Sequence, residues 1–147
     1  MLRIDRSVFV LLGAALLGLS SAACNDSNPV LPSPTADNVP VVIESFVGTI
    51  PVAASGFYSF SMTQYGNVML TLLDLKEDGV SSTALVSIGI GQPTGTICSV
   101  ATAVTVNTAT SPQLISAFNP GVYCAYIGDV GNLTATATFA LNIAHPR

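Results

Sequence analysis

The chain has 147 residues; half of them are apolar, 8% are charged, and none is tryptophan. This length and composition fit one domain with a single core, once terminal segments are set aside. After residue 23 only Lys76 and Arg147 are basic, against seven acidic residues. Nucleic acid is therefore excluded as a partner, because a phosphate backbone is bound by clustered Lys and Arg, and a polybasic membrane patch is excluded for the same reason.

The N-terminal 23 residues have the pattern of a secretory signal peptide. Arg3 and Arg6 precede an uncharged apolar run from Val8 to Leu19, which is too short for a permanent transmembrane helix of about 20 residues. Four small residues, Ser-Ser-Ala-Ala, follow the run. A basic start, a short apolar run and a small-residue end together predict a signal peptide over residues 1–23 that is removed on export.

The next residue is Cys24, and the sequence Ser-Ala-Ala-Cys resembles the bacterial lipobox. The resemblance implies that Cys24 is lipidated and anchors the protein in the bacterial cell envelope, at the outer membrane or cell surface. The alternative is an ordinary signal peptidase cutting at the same bond, which would secrete the protein with a free Cys24. Lipidation is favoured because it accounts for the odd cysteine that an exported protein with three cysteines would otherwise leave unpaired. Residues 24–38 contain three prolines and little to bury, and they are predicted to be a flexible linker.

From residue 39 onward the chain alternates short segments rich in β-branched residues with turn signals, and no helical period appears. From residue 84 to residue 91, small residues such as Gly89 and Gly91 share one face, which predicts close approach of another layer or chain. In the segment Val68–Leu75 both faces are apolar, which is typical of a central strand. The predicted strands are Val41–Ile50, Phe57–Gln64, Val68–Leu75, Ala84–Ile90, Ile97–Asn107 and Leu114–Phe118.

The C-terminal fifth predicts two further strands. A turn at Asn119-Pro-Gly121 opens the first, and a second turn at residues 128–132 leads into the last strand, where apolar residues occupy every odd position from Leu133 to Ile143. These two strands are expected to pair as a hairpin. About eight strands in all predict an all-β, jelly-roll-like β-sandwich over residues 39–147.

Four short segments follow one another along the chain: Phe57–Met62, Val68–Leu72, Asn119–Ile127 and Phe139–Ile143. Their order resembles that of bacterial pre-peptidase C-terminal-type domains, which are secreted β-sandwiches, and that of small bacterial lipoproteins of the same pattern. The resemblance implies that the Tyr123 face of its strand points into the sandwich. Many such domains carry aspartates in the strand corresponding to residues 84–90, which has none here, so calcium binding is not carried over.

Catalysis is not predicted. His145 is the only histidine, and its position in the terminal Ala-His-Pro-Arg is that of a solvated tail residue. Nucleophilic catalysis by Ser-His-Asp or Cys-His needs a histidine that a rigid frame aims at the nucleophile. No cofactor is predicted either, and three widely separated ligands, Cys98, Cys124 and His145, do not have the spacing of a zinc site.

Asp74, Glu77 and Asp78 form one acidic cluster. They are weak candidates for Ca²⁺, which takes six to eight oxygen ligands, and a solvated turn with Asp78-Gly79 as hairpin residues is the favoured interpretation. The four tyrosines at positions 58, 65, 123 and 126 suit either a carbohydrate platform or packing. Without tryptophan, packing is favoured.

Two cysteines remain once Cys24 is lipidated. Cys98 and Cys124 both lie in predicted strands of an exported protein, so they are predicted to form a disulfide. The bridge requires a Cα separation of about 4.4 to 6.8 Å, which is met if Cys98 lies on the strand next to Cys124.

Taken together, the sequence predicts a non-catalytic accessory, adhesion or binding module displayed at the cell envelope. Its partners would be the membrane, through the N-terminal lipid, and a protein or polysaccharide ligand. The alternative is a structural subunit of a surface assembly that associates through strand edges, for which low charge and a long last strand are suited.

Overall fold

Residues 40–147 are described by a computed structural model, in which they form two antiparallel β-sheets without an α-helix. The predicted signal peptide, Cys24 and the linker lie outside the described residues. In the described part of the chain, no helix is long and apolar enough to cross a bilayer. The strands are β1 (Val41–Ile50), β2 (Ser55–Met62), β3 (Gly66–Glu77), β4 (Val80–Ser81), β5 (Val86–Thr94), β6 (Ile97–Val106), β7 (Leu114–Phe118), β8 (Gly121–Asp129) and β9 (Ala137–Pro146).

The two sheets have the strand order of a jelly roll. One sheet, called the β1 sheet here, runs β1-β9-β3, and the far side of β3 pairs with both β7 and β4. The other, the β2 sheet, runs β2-β8-β5-β6. Without the two-residue β4, eight strands remain, and the chain crosses repeatedly between the sheets. The predicted all-β, jelly-roll-like sandwich is confirmed, and the strand with two apolar faces, β3, is central as expected.

The predicted pairing of the last two strands as a hairpin is wrong. β8 pairs with β2 and β5 in one sheet, whereas β9 pairs with β1 and β3 in the other. The connecting segment, residues 130–136, therefore crosses between the sheets. Both strands are central in their sheets, and two packed central strands bury more apolar surface than an isolated hairpin.

The core lies between the two sheets and is built from alternate residues of their central strands. Burial of one Leu or Ile side chain stabilises the fold by roughly 1.5 to 3 kcal/mol. In β9 the predicted alternation is confirmed, because the odd positions from residue 137 onward point inward. Fully buried side chains include Leu70, Leu72, Leu141 and Ile143 from the β1 sheet and Val86, Ile88, Ile90 and Ile127 from the β2 sheet.

The same alternation corrects the expectation for His145. The period of two continues to the end of β9, so His145 points inward and is only 2% exposed, not a solvated tail residue. Its ring packs against Phe60 of the opposite sheet, with ring centroids 4.9 Å apart. The predicted solvated tail is wrong because strand pairing with β1 runs to Pro146, three residues beyond the predicted end of the last strand.

The close approach predicted at the small residues of β5 is confirmed, and the approaching element is β6. The register between β5 and β6 shifts at Ile90/Gly91, and β6 bends over the outer face of its sheet there. A Cβ on Gly91 would lie 2.1 Å from the Ser99 carbonyl oxygen, and one on Gly89 would lie 2.8 Å from a methyl of Val100. Only glycine leaves room for this contact.

Candidate functional site

A disulfide fixes the bend of β6 at Gly91. Cys98 in β6 and Cys124 in β8 are bonded, with their Cα atoms 6.0 Å apart, which confirms the predicted pairing. They are not on neighbouring strands, because β5 lies between β6 and β8. The bend of β6 across Gly91 brings the two sulfurs together. Tyr123 faces the core, as the family resemblance implied, and Cys124 on the opposite face is nevertheless fully buried.

The acidic cluster is divided among separate structural roles. Asp74 pairs with Lys76 at 2.5 Å. Asp78 and Gly79 both have positive φ (49° and 80°) and form the two-residue turn between β3 and β4, as hairpin chemistry requires. Within residues 40–147, no group of three or more His, Cys, Asp or Glu side chains is arranged to hold a metal ion.

Glu77 serves as an acceptor for the loop that crosses between β8 and β9. Its carboxylate accepts hydrogen bonds from the Ser82 hydroxyl (2.5 Å), from the backbone N–H (2.7 Å) and hydroxyl (2.9 Å) of Thr134, and from the Ala135 N–H (3.1 Å). These donors, the Ser82 hydroxyl first, lower the pKa of Glu77 to about 2, because they stabilise its charged form.

Asp129 holds the other end of the same loop. One carboxylate oxygen accepts from the N–H groups of Gly131, Asn132 and Leu133, and the other from the N–H of Ala53 at 2.8 Å. The Ala53 bond leads the effects that lower the pKa of Asp129. Asp129 and Glu77 therefore order the loop between β8 and β9. The groups that could form a binding site lie elsewhere.

A polar network lies at the flank where β1 faces β2. The His145 Nε2 is 3.2 Å from the Glu44 carboxylate, and its Nδ1 is 2.8 Å from the Pro146 carbonyl oxygen. The Tyr58 side chain stacks on Phe46 at 5.7 Å, and the nearby Glu44 carboxylate raises the pKa of Tyr58. The network satisfies the buried imidazole and fixes β1 to β9 and β2.

The opposite flank carries a cleft that can admit a ligand. About 440 Å³ in volume, it lies where the start of β6 faces the end of β7, beside the bend of β6. None of the residues that line it is charged. Its chemistry comes from three aromatic side chains, Tyr65, Phe118 and Tyr123, and from three polar ones, Gln92, Ser99 and Asn119.

The aromatic side of this cleft is fixed by packing. The Tyr123 ring lies 4.9 Å from the Phe118 ring, and the Tyr123 hydroxyl donates to the Asn119 carbonyl oxygen at 2.8 Å. Tyr65 stands in the turn before β3 and is 64% exposed. The Tyr65 ring is thus available to a ligand at the mouth of the cleft, whereas the Tyr123 ring is held in place by its contacts.

The four tyrosines at positions 58, 65, 123 and 126 do not form one carbohydrate platform, because the fold separates them. Tyr123 is a core residue, and Tyr126 packs over Gly128 on the outer face of the β2 sheet. Tyr58 and Tyr65 are exposed but belong to opposite flanks. Sequence reasoning did not identify Phe118, Gln92, Ser99 or Asn119 as cleft residues, because only the jelly-roll crossing places β6 beside β7.

The outer face of the β1 sheet is a second surface of interest. On β1 the side chains of Val41, Ile43 and Val47 are 55%, 66% and 65% exposed. Leu73 and Ile115 are also exposed on this face, and a groove of about 290 Å³ is lined by Ile43 and Leu73. Scattered exposed apolar residues are ordinary in a monomer, but a contiguous set is typical of a contact surface.

No known family matches the chain, and no curated protein is significantly similar to it. Among solved structures, one described by the words "Bacillus endospore appendages form a novel family of disulfide-linked pili" is similar, with 15% sequence identity and a TM-score of 0.34, over 72% of this chain and 88% of that chain. A similarity at this TM-score assigns neither a fold nor a function to this chain.

Proposed function

We propose that the protein is a non-catalytic binding module displayed at the bacterial cell envelope, and that its ligand is an uncharged polysaccharide held in the cleft between β6 and β7. The uncharged, aromatic lining of that cleft is the observation that carries the proposal. Sugar rings present apolar C–H faces that stack on aromatic rings, and hydroxyls that pair with amide and hydroxyl groups. An uncharged peptide segment of a partner protein is the alternative ligand.

The roles of the titratable groups support a non-catalytic module. A general acid or base needs access to a substrate and a proton that can move to it. Of the groups in residues 40–147, His145 is buried against Phe60, Glu77 and Asp129 are committed to backbone donors, and Asp74 is paired with Lys76. The cleft itself is lined by no charged residue.

The binding test uses residues 24–147 with Cys24→Ser, applied to an array of neutral glycans and followed by calorimetry. Tyr65→Ala is expected to weaken binding about tenfold, which corresponds to about 1.4 kcal/mol. Tyr58→Ala removes an exposed tyrosine from the opposite flank and should leave the affinity unchanged. Absence of glycan binding, or equal losses in the two variants, would reject the cleft as a sugar site.

The attachment to the envelope is part of the same proposal. Lipidation of Cys24 would anchor the module, and residues 24–38 would separate it from the membrane. In a detergent phase separation, the wild-type protein is expected in the detergent phase and the Cys24→Ser protein in the aqueous phase. Recovery of the wild type in the aqueous phase would instead indicate simple secretion.

A second candidate function is a structural subunit that associates through strand edges, and one specific observation favours it. The last strand, which the sequence suggested for this role, is ten residues long and central, because β1 and β3 pair with its two sides. In residues 40–147, however, β1 pairs only with β9. A ten-residue strand therefore leaves one side open to another chain.

A further inference from the structure

We infer that the open side of β1 pairs with β1 of a second copy of this chain, antiparallel and around a two-fold axis at Ser45. This inference rests on the second candidate function and adds its surface, partner and register. It would join two β1 sheets into one continuous sheet.

The hydrogen-bond directions follow from the ladder between β1 and β9. The Arg147 N–H donates to the Pro40 carbonyl at 2.9 Å, and the register from Val41 to Ile50 continues without a shift. In an antiparallel pair every second residue bonds to the partner strand, so the even-numbered residues of β1 bond to β9. The odd-numbered residues direct their N–H and C=O groups to the open side. They are Val41, Ile43, Ser45, Val47 and Thr49.

These directions restrict the register with a second copy. An odd residue must lie opposite an odd residue, because only those have backbone groups facing the open side. A two-fold axis at Ser45 places Val41 opposite Thr49 and Ile43 opposite Val47, and each of the five open residues then finds a partner. This gives about ten backbone hydrogen bonds. A shift by two residues, to an axis at Phe46, would leave Val41 unpaired.

Side chains and charge agree with this register. Val41, Ile43 and Val47 are exposed on the outer face, so Ile43 and Val47 of the two copies would form stabilising apolar cross-strand pairs. The only charged residue of β1 is Glu44, which faces the His145 ring. In this register Glu44 lies opposite Phe46 of the other copy, so no like charges meet.

The other edges of the described sheets are less suited to pairing. β6 has a shifted register at Gly91 and is bent by the disulfide, and bulges of this kind protect edges. The far side of β3 is occupied in part by β7 and in part by β4. β2 is shorter than β1, and the residues on its open side are mainly serine. β1 alone combines length, regularity and apolar side chains.

The first test is the molar mass of residues 24–147 with Cys24→Ser, by size-exclusion chromatography with light scattering. We expect twice the mass of one chain. Val47→Lys places a charge at the edge, where it opposes pairing, and should return the protein to the monomer. Ile115→Lys makes the same change on β7, on the same outer face but at the opposite edge of the sheet, and should leave the dimer intact. A monomeric parent protein, or dissociation by both variants, would overturn the inference.

The second test reports the register. Ser45→Cys places two thiols at Cα atoms about 5.5 Å apart across the axis, and a short bismaleimide should crosslink them in high yield. Thr49→Cys places the two thiols about 26 Å apart at 3.3 Å per residue and should not react. If Thr105→Cys on β6 crosslinks and Ser45→Cys does not, the chain assembles through another edge and the inference fails while the structural function stands. If neither crosslinks and the protein is monomeric, both fail.

The third test concerns the predicted linker that precedes β1. A version that begins at residue 40 is compared with residues 24–147. Dimers of both versions support pairing between copies. A dimer only of the shorter version would show that residues 24–39 occupy the open side of β1, and would overturn the inference for the longer chain.

Discussion

The Gly91 Cα faces the Ser99 backbone so closely that a methyl group on Gly91 would lie 2.1 Å from the Ser99 carbonyl oxygen. This contact lets β6 cross over β5 and reach Cys124 in β8. The bend also forms one wall of the cleft, because Gly91 and Ser99 both line it. The glycine, the disulfide and the candidate binding site are therefore parts of one local structure.

Gly91→Ala should destabilise the domain. Because backbone atoms rather than a flexible side chain occupy the space, the bend must open, at a cost of about 1 to 3 kcal/mol or more. Urea unfolding monitored by circular dichroism measures the loss. Gly56→Ala is the matched control, since its new methyl meets only a Phe46 ring atom at 3.9 Å. Equal stability of the Gly91 variant and the parent would contradict the close contact.

Glu77 should make the domain sensitive to acid. Its pKa in the folded state is about 2, below the ordinary value of 4.5, so its stabilising contribution is complete above pH 4.5 and is lost as the pH falls toward 2. Glu77→Gln should lower the urea midpoint at pH 7, and the difference from the parent protein should shrink between pH 4.5 and 2. Asp78→Asn, a change in the exposed turn that removes none of these bonds, is the control and should leave the urea midpoint at pH 7 nearly unchanged. A pH-independent difference would contradict the assigned bonds.

His145 should be a stability residue. His145→Ala leaves a cavity beside Phe60 and removes the partner of Glu44, which predicts a loss of about 2 to 4 kcal/mol, within the range for large-to-small changes in cores. The midpoint of thermal or urea unfolding measures it. Arg147→Ala, which changes an exposed side chain and keeps the backbone bond to Pro40, is the control and should cost much less. An unchanged midpoint for His145→Ala would restore the view of a solvated tail.

Much of the fold could be predicted because β-strands report their two faces through a period of two. Val41–Ile50 and Leu114–Phe118 were predicted with their observed bounds, since turn residues mark their ends. The sheet membership of each strand was harder. Strands that are adjacent in sequence commonly pair as a hairpin, whereas residues 130–136 cross between the sheets. Hydrogen bonds to the Asp129 and Glu77 carboxylates hold that crossing segment.

The candidate site was largely hidden in the sequence for the same reason. Phe118 and Ser99 have no motif in common, and they meet only because β6 and β7 stand on one flank of the sandwich. The local signals were the glycines of β5, which predicted a close approach without naming β6, and Tyr65 and Tyr123, which suited either a carbohydrate platform or packing. The edge role of β1 likewise depends on topology, because its sequence resembles that of any half-buried strand.

The Cys98–Cys124 disulfide should contribute about 3.5 kcal/mol in the chain-entropy model, because it closes a loop across a sequence separation of 26 residues. Reduction, or the Cys98→Ala/Cys124→Ala double variant, should therefore lower the urea midpoint substantially. It should also weaken ligand binding, since the bend of β6 that forms the cleft is then free to relax. Parent and variant both carry Cys24→Ser, so that Cys24 does not contribute to the measured difference. Thiol labelling of the unreduced, denatured protein is the decisive measurement: reactive thiols at both Cys98 and Cys124 would contradict the bridge.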